Sequence, residues 1–172
     1  ARTTRAAGTS PTGLARLRLF VAVETVGPDV TLTGAQGIGL ARACAASTAR
    51  AAFTSGDPQE AATVLATHRA HGTTSMTASL VTDTLERLEE SVRALAPLVR
   101  SGELAGIHLE GPFLNPAPGF RGCHPAQAMI APDIRLVDRL GALLGKPILL
   151  VTIAPELPGA MAFIREARSR GI

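Results

Sequence analysis

An α/β fold on a parallel sheet is what this sequence predicts, and three observations predict it. Strand-like and helix-like segments alternate three times, over 72–100, 104–144 and 147–170, the order that right-handed β/α units produce. Aspartates stand where helices should begin. PILLVTI (147–153) is a nearly continuous apolar run of strand length, as expected for a parallel strand covered on both faces.

Each element has its own local reason. Residues 1–52 are expected to form a poorly defined N-terminal segment, in which only the apolar run LRLFVAVETV within 14–26 reads as one or two strands. Asp57 is a good N-cap, Pro58 suits the first helical position, and Glu60 closes a capping box. Ala61, Val64, Leu65 and His68 follow at helical spacing until Gly72. GTTSMTASL (72–80) reads as a strand. Asp83 with Glu86 repeats the capping pattern, and Leu85, Leu88, Val92, Leu95 and Leu98 form an apolar helical stripe. LAGIHL (104–109) is the next strand. Asp133 opens a helix with Ile134, Val137 and Leu140 on one face, ending near Gly145, and a last helix runs from about Gly159 to Arg170.

Composition removes several function classes. No stretch free of Asp, Glu, Lys and Arg exceeds 13 residues, short of the roughly 18–20 of a membrane helix, so no membrane partner is expected. Cys44 and Cys123 form neither a disulfide framework nor a zinc cluster, which points to a reducing, cytoplasmic setting. The excess of 17 basic over 14 acidic residues arises wholly in residues 1–52, with six Arg against two acids. Those Arg are scattered singly with no stacking aromatics beyond Phe20, so no nucleic-acid partner is expected.

Ligands of parallel α/β sheets bind at the carboxyl ends of the strands, which directs attention to the chain after residues 80, 109 and 153. The segment GIHLEGPFLNPAPGFRGCHPA (106–126) stands out. His108 and Glu110, two apart, share one face of a strand, and Glu110 falls at its carboxyl end before Gly111–Pro112. A carboxylate there either binds a divalent metal, acts as an acid or base, or makes a salt bridge or cap. The proline- and glycine-rich loop beyond it is of a length that is often functional. His108 reads as a packed histidine or a support for the metal. His68 and His71 read as structural, Glu156 as a supporting hydrogen-bond partner or a site residue, and Cys123 as a small loop residue with no base beside it.

HLEGPFLNP followed by RG-x-HP resembles the signature of the N-acetylglucosamine-6-phosphate deacetylases, metal-dependent TIM barrels of the amidohydrolase superfamily. The resemblance extends through FTSGDPQEA (53–61), HGTTS (71–75) and VTIAPE (151–156), covering roughly 53–172. It implies a partial TIM barrel of about three β/α units over 53–172. It implies too that Glu110 binds one divalent metal ion, zinc by preference, while His124 and the backbone of Cys123 contact an amino-sugar phosphate. The activity implied is hydrolysis of the N-acetyl group of N-acetylglucosamine 6-phosphate, giving glucosamine 6-phosphate and acetate. Full-length members of such a family are expected to be cytoplasmic homodimers.

Two departures from the family pattern qualify this. The family's His-x-His pair should precede Phe53, yet LARACAASTARAAF (40–53) has neither His nor carboxylate. Residues from about 36 to 52 are therefore expected to be an out-of-frame translation, which the other reading frames of the coding DNA would test. The remaining metal-binding His residues and the general acid/base Asp are expected beyond residue 172, so no catalytic residue is assigned. The chain is expected to be an inactive amino-terminal fragment. The alternatives are an amidohydrolase acting on a cyclic amide, which RGCH argues against, and a non-catalytic remnant serving as an interaction module.

Overall fold

A computed structural model describes residues 21–23 and 52–172. Four parallel strands lie in the order β1 (Val21–Val23), β2 (Met76–Val81), β3 (Gly106–Glu110) and β4 (Leu150–Thr152). Helix α1 (Pro58–Ala70) precedes β2, α2 (Leu85–Arg100) joins β2 to β3, α3 (Ile134–Leu144) joins β3 to β4, and α4 (Ala160–Ser169) follows β4. Every strand from β2 onward is thus followed by a helix, which is the expected β/α repeat. The expected frame disruption at about 36 to 52 lies outside the described residues except for Ala52, and of the apolar run at 14–26 only Val21–Val23 falls within them, as a strand.

Register explains which residues line each face. Ala78 pairs with Ile107, and Leu80 with Leu109 and then Val151. This face joins one apolar core with Leu88, Val92, Leu95 and Val99 of α2 and with Val137, Leu140 and Leu144 of α3. The other face carries Ser79 beside His108, and Glu110 beside Thr152. Between α2 and α3, the nearly buried Glu89 accepts a hydrogen bond from Arg93 at 2.7 Å and is ion-paired with Arg139. The single lysine, Lys146, donates to the backbone oxygen of Val99 at 3.0 Å, adding a side-chain partner to a carbonyl at the end of α2 that also accepts from Gly102 N at 3.3 Å.

Local differences from the sequence expectations have local causes. Asp57 caps α1 by accepting from Gln59 N at 2.8 Å, but Glu60 does not close a capping box. Its carboxylate accepts from Ala52 N at 2.9 Å, while Asp57 N is served by the Ser55 hydroxyl. The cap of α2 is Thr84 rather than Asp83, whose carboxylate accepts from Thr84 N instead. Asp133 caps α3 as expected, and Gly145 ends it at φ 79°. PILLVTI gives only a three-residue strand, and it is not covered on both faces: Leu149 and Leu150 are 40% and 50% exposed. Strand β4 is the last in the sheet order, so only β3 pairs with it among the described residues.

Candidate functional site

The carboxyl rim of the sheet gathers the polar groups. Glu110 is the last residue of β3, where Gly111 turns the chain at φ +89°. A side chain at 111 would both strain that backbone and place its Cβ 2.1 Å from Thr82 Oγ1. Glycine therefore lets the Thr82 hydroxyl, one residue past β2, reach the rim of β3. That hydroxyl donates to the Glu110 backbone oxygen at 3.1 Å.

The long loop returns to the same place. Its start is anchored by the fully buried Phe113, whose ring meets Phe163 of α4 at a centroid distance of 4.9 Å. Ala154 N donates to the Phe113 carbonyl at 2.9 Å, and Asn115 Nδ2 donates to Glu156 Oε1 at 3.0 Å. Farther on, Ile130 N donates to the carbonyl of Pro112 at 3.1 Å. Between these anchors a tight turn, His124 N to Arg121 O at 3.1 Å, swings the His124 ring inward, and Arg121 Nη1 donates to the His124 carbonyl.

The result is a three-residue cluster. His124 Nδ1 lies 2.9 Å from Thr82 Oγ1, and His124 Nε2 lies 3.4 Å from Glu110 Oε1. Both the imidazole and the carboxylate are mostly buried, at 12% and 19% side-chain exposure, so their interaction is less screened than a surface pair. Of the residues singled out by sequence, Glu110 and His124 are thus brought together. Cys123 is on the same loop but exposed, with a free thiol.

Thr82 was missed. Sequence position directs attention to the chain after residue 80, yet nothing in TSMTASLVTDT ranks one threonine above another. His108 is a packed histidine: Nδ1 lies 2.8 Å from Ser79 Oγ on β2 and Nε2 lies 2.8 Å from Thr152 Oγ1 on β4. His68 is buried on the core side of α1, where desolvation first and the charge of His71 second lower its pKa. His71 caps the end of that helix. Glu156 acts as a hydrogen-bond partner, and the Asn115 amide holds its carboxyl below the usual range.

Among the described residues no group of three or more His, Cys, Asp or Glu side chains gathers as a metal cage, and no helix is long and apolar enough to cross a membrane.

No family model matches the chain. Similarity to individual proteins is clear. The chain is 36% identical over 109 residues to the N-acetylglucosamine-6-phosphate deacetylase of Caenorhabditis elegans, covering 59% of this chain and 25% of that protein. It is 36% identical over 92 residues to the N-acetylgalactosamine-6-phosphate deacetylase of Shewanella sp. (strain ANA-3), covering 52% and 22%. The crystal structure of N-acetyl-D-glucosamine-6-phosphate deacetylase from Mycobacterium smegmatis superposes with a TM-score of 0.65 at 39% identity, covering 72% of this chain and 35% of that one. The chain spans about a quarter of the length of the curated relatives it matches. The resemblance read from HLEGPFLNP is borne out, as is the fold class, an α/β partial barrel.

Proposed function

We propose that this chain carries part of the site of an amino-sugar-phosphate deacetylase, which hydrolyses N-acetylglucosamine 6-phosphate to glucosamine 6-phosphate and acetate. The observation that carries the proposal is Glu110 at the carboxyl end of β3 with the His124 imidazole 3.4 Å from its carboxylate. That is where a β/α barrel places its chemistry. Similarity to deacetylases of this substrate class supports it.

The donor chemistry suits a divalent metal ion, with Glu110 as the residue that would hold it, and zinc is our choice because a carboxylate oxygen is a donor zinc accepts. Bound there, a metal supplies Lewis-acid polarisation of the acetamide carbonyl and a water of lowered pKa. The chain's own residues do the rest of the work assigned here. His124 and the Cys123 backbone contact the sugar phosphate. The anchored loop between Phe113 and Ile130 walls the rim and limits water. No described residue is given the general acid/base role. A homodimer and a cytoplasmic location complete the proposal by family resemblance.

Titration of the metal-free chain, first with zinc and then with N-acetylglucosamine 6-phosphate, tests this by amide NMR. Saturable shifts at residues 109–111 and 121–125, with the zinc-dependent ones lost in Glu110→Gln, are expected. Shifts confined to other parts of the chain overturn the proposal. Turnover is expected to be negligible, since among the described residues Glu110 and at most His124 fall short of the three protein ligands of a catalytic zinc site. Acetate release above that of Glu110→Gln would refute this. The match to an N-acetylgalactosamine-6-phosphate deacetylase favours a second reading, in which the 4-epimer is the substrate. Parallel titration with that epimer separates the two.

A further inference from the structure

We propose that Thr82 is a positioning residue, which holds His124 in the tautomer protonated on Nδ1 and leaves Nε2 as an acceptor beside Glu110. The argument is a count of protons. The Thr82 hydroxyl has one, and it stands 3.1 Å from the Glu110 backbone oxygen and 2.9 Å from His124 Nδ1. A carbonyl oxygen can only accept, so the hydroxyl proton is committed to Glu110. Toward His124 the hydroxyl then offers only a lone pair, and Nδ1 must be the donor. A neutral imidazole has a single N–H, so Nε2 is bare.

The surroundings enforce this assignment. Thr82 is 3% exposed, leaving little room for water to serve either partner in its place. The left-handed Gly111 admits the hydroxyl, since any Cβ there would displace it. Two acceptors, Nε2 and Glu110 Oε1, consequently face one small region from 3.4 Å apart. A ligand group meeting Nε2 there must bring a proton or a metal cation; in the metal-free chain a sugar hydroxyl supplies the proton and a phosphate dianion does not. This use of Nε2 rests on the sugar-phosphate reading given above, whereas the tautomer itself needs neither metal nor sugar.

The test is long-range proton–nitrogen NMR of the metal-free full chain in mildly alkaline buffer, with the ring signals of His124 identified by their loss in His124→Gln. In the wild type, Nδ1 is expected to be protonated and Nε2 unprotonated. Thr82→Ser keeps that pattern, while Thr82→Val, which preserves shape but removes the hydroxyl, moves the proton to Nε2, where Glu110 can accept it. Amide spectra establish that the variants are folded. A proton on Nε2 in the wild type, or an unchanged pattern in folded Thr82→Val, overturns the proposal. The wild-type measurement decides alone if the valine variant does not fold. A shift of Nε2 on adding N-acetylglucosamine 6-phosphate but not inorganic phosphate supports the hydroxyl contact, and a shift with inorganic phosphate overturns it. Absence of any response to the sugar phosphate counts against the deacetylase reading, with the tautomer already measured.

Discussion

His108 and His124 stand on either side of the carboxyl rim of the same strand, and their surroundings make them different chemical objects. His108 is 4% exposed and hydrogen-bonded at both nitrogens to hydroxyls of flanking strands, Ser79 and Thr152. It ties three strands together, and neither nitrogen is available to a ligand. His124 has Nδ1 held by Thr82, while Nε2 faces a carboxylate at 3.4 Å, beyond ordinary hydrogen-bond length. The contrast teaches that position on the polar face does not make a histidine functional. What matters is whether a ring nitrogen is left for something else.

The largest effect that should separate the two is on stability. Replacing His108 by Leu removes both hydrogen bonds and strands the buried Ser79 hydroxyl, so a loss of about 2–4 kcal/mol is expected in urea unfolding. A loss under about 1 kcal/mol would mean that the cross-strand bonds contribute little. Next comes metal linkage at the rim. Zinc at a hundredfold excess over its Kd should stabilise the wild type by about 2.7 kcal/mol. A chelator should reverse this, and Glu110→Gln should abolish it; equal zinc stabilisation of that variant would remove Glu110 from the site.

Gly111→Ala tests the join between the regions. It forces a side chain into a left-handed backbone and against Thr82, at a cost of about 1–3 kcal/mol. It should also release the His124 ring, visible in its nitrogen resonances. An unchanged melting temperature would argue that the turn at 111 adapts.

The smallest effect concerns a third kind of histidine, one buried on the core side of a helix away from the rim. Desolvation, then the charge of His71, keeps the pKa of His68 below its ordinary value. As pH falls through roughly 6.5, the unfolded chain takes up the proton first. The contribution of His68 is therefore whole above that pH and is lost below it. Melting temperature followed from pH 8 to 5 should fall less steeply in His68→Gln than in the wild type. Parallel curves would place the acid sensitivity elsewhere.

Much of this was readable in the sequence because it rests on neighbours along the chain. Asp57 and Asp133 cap helices, Gly145 ends one, and Leu88, Val92 and Leu95 mark a buried face, since each depends on three or four adjacent positions. Glu110 was recognisable from HLEGP, a local pattern at a strand end. Where a residue had a choice of partners, sequence was a poorer guide. Glu60 turned to Ala52 instead of its own cap, and Thr84 displaced Asp83. Leu149 and Leu150 read as covered, although they stand half exposed at and just before β4, the last strand of the sheet among the described residues.

The sequence by itself thus determined the order of strands and helices, the apolar faces that bury them, and the carboxylate at the strand end. Only the tertiary structure decided that His108 is spent on its neighbours and that Thr82 meets His124. Hydrogen bonds between residues 42 apart depend on strand register and loop path, and no local pattern encodes them.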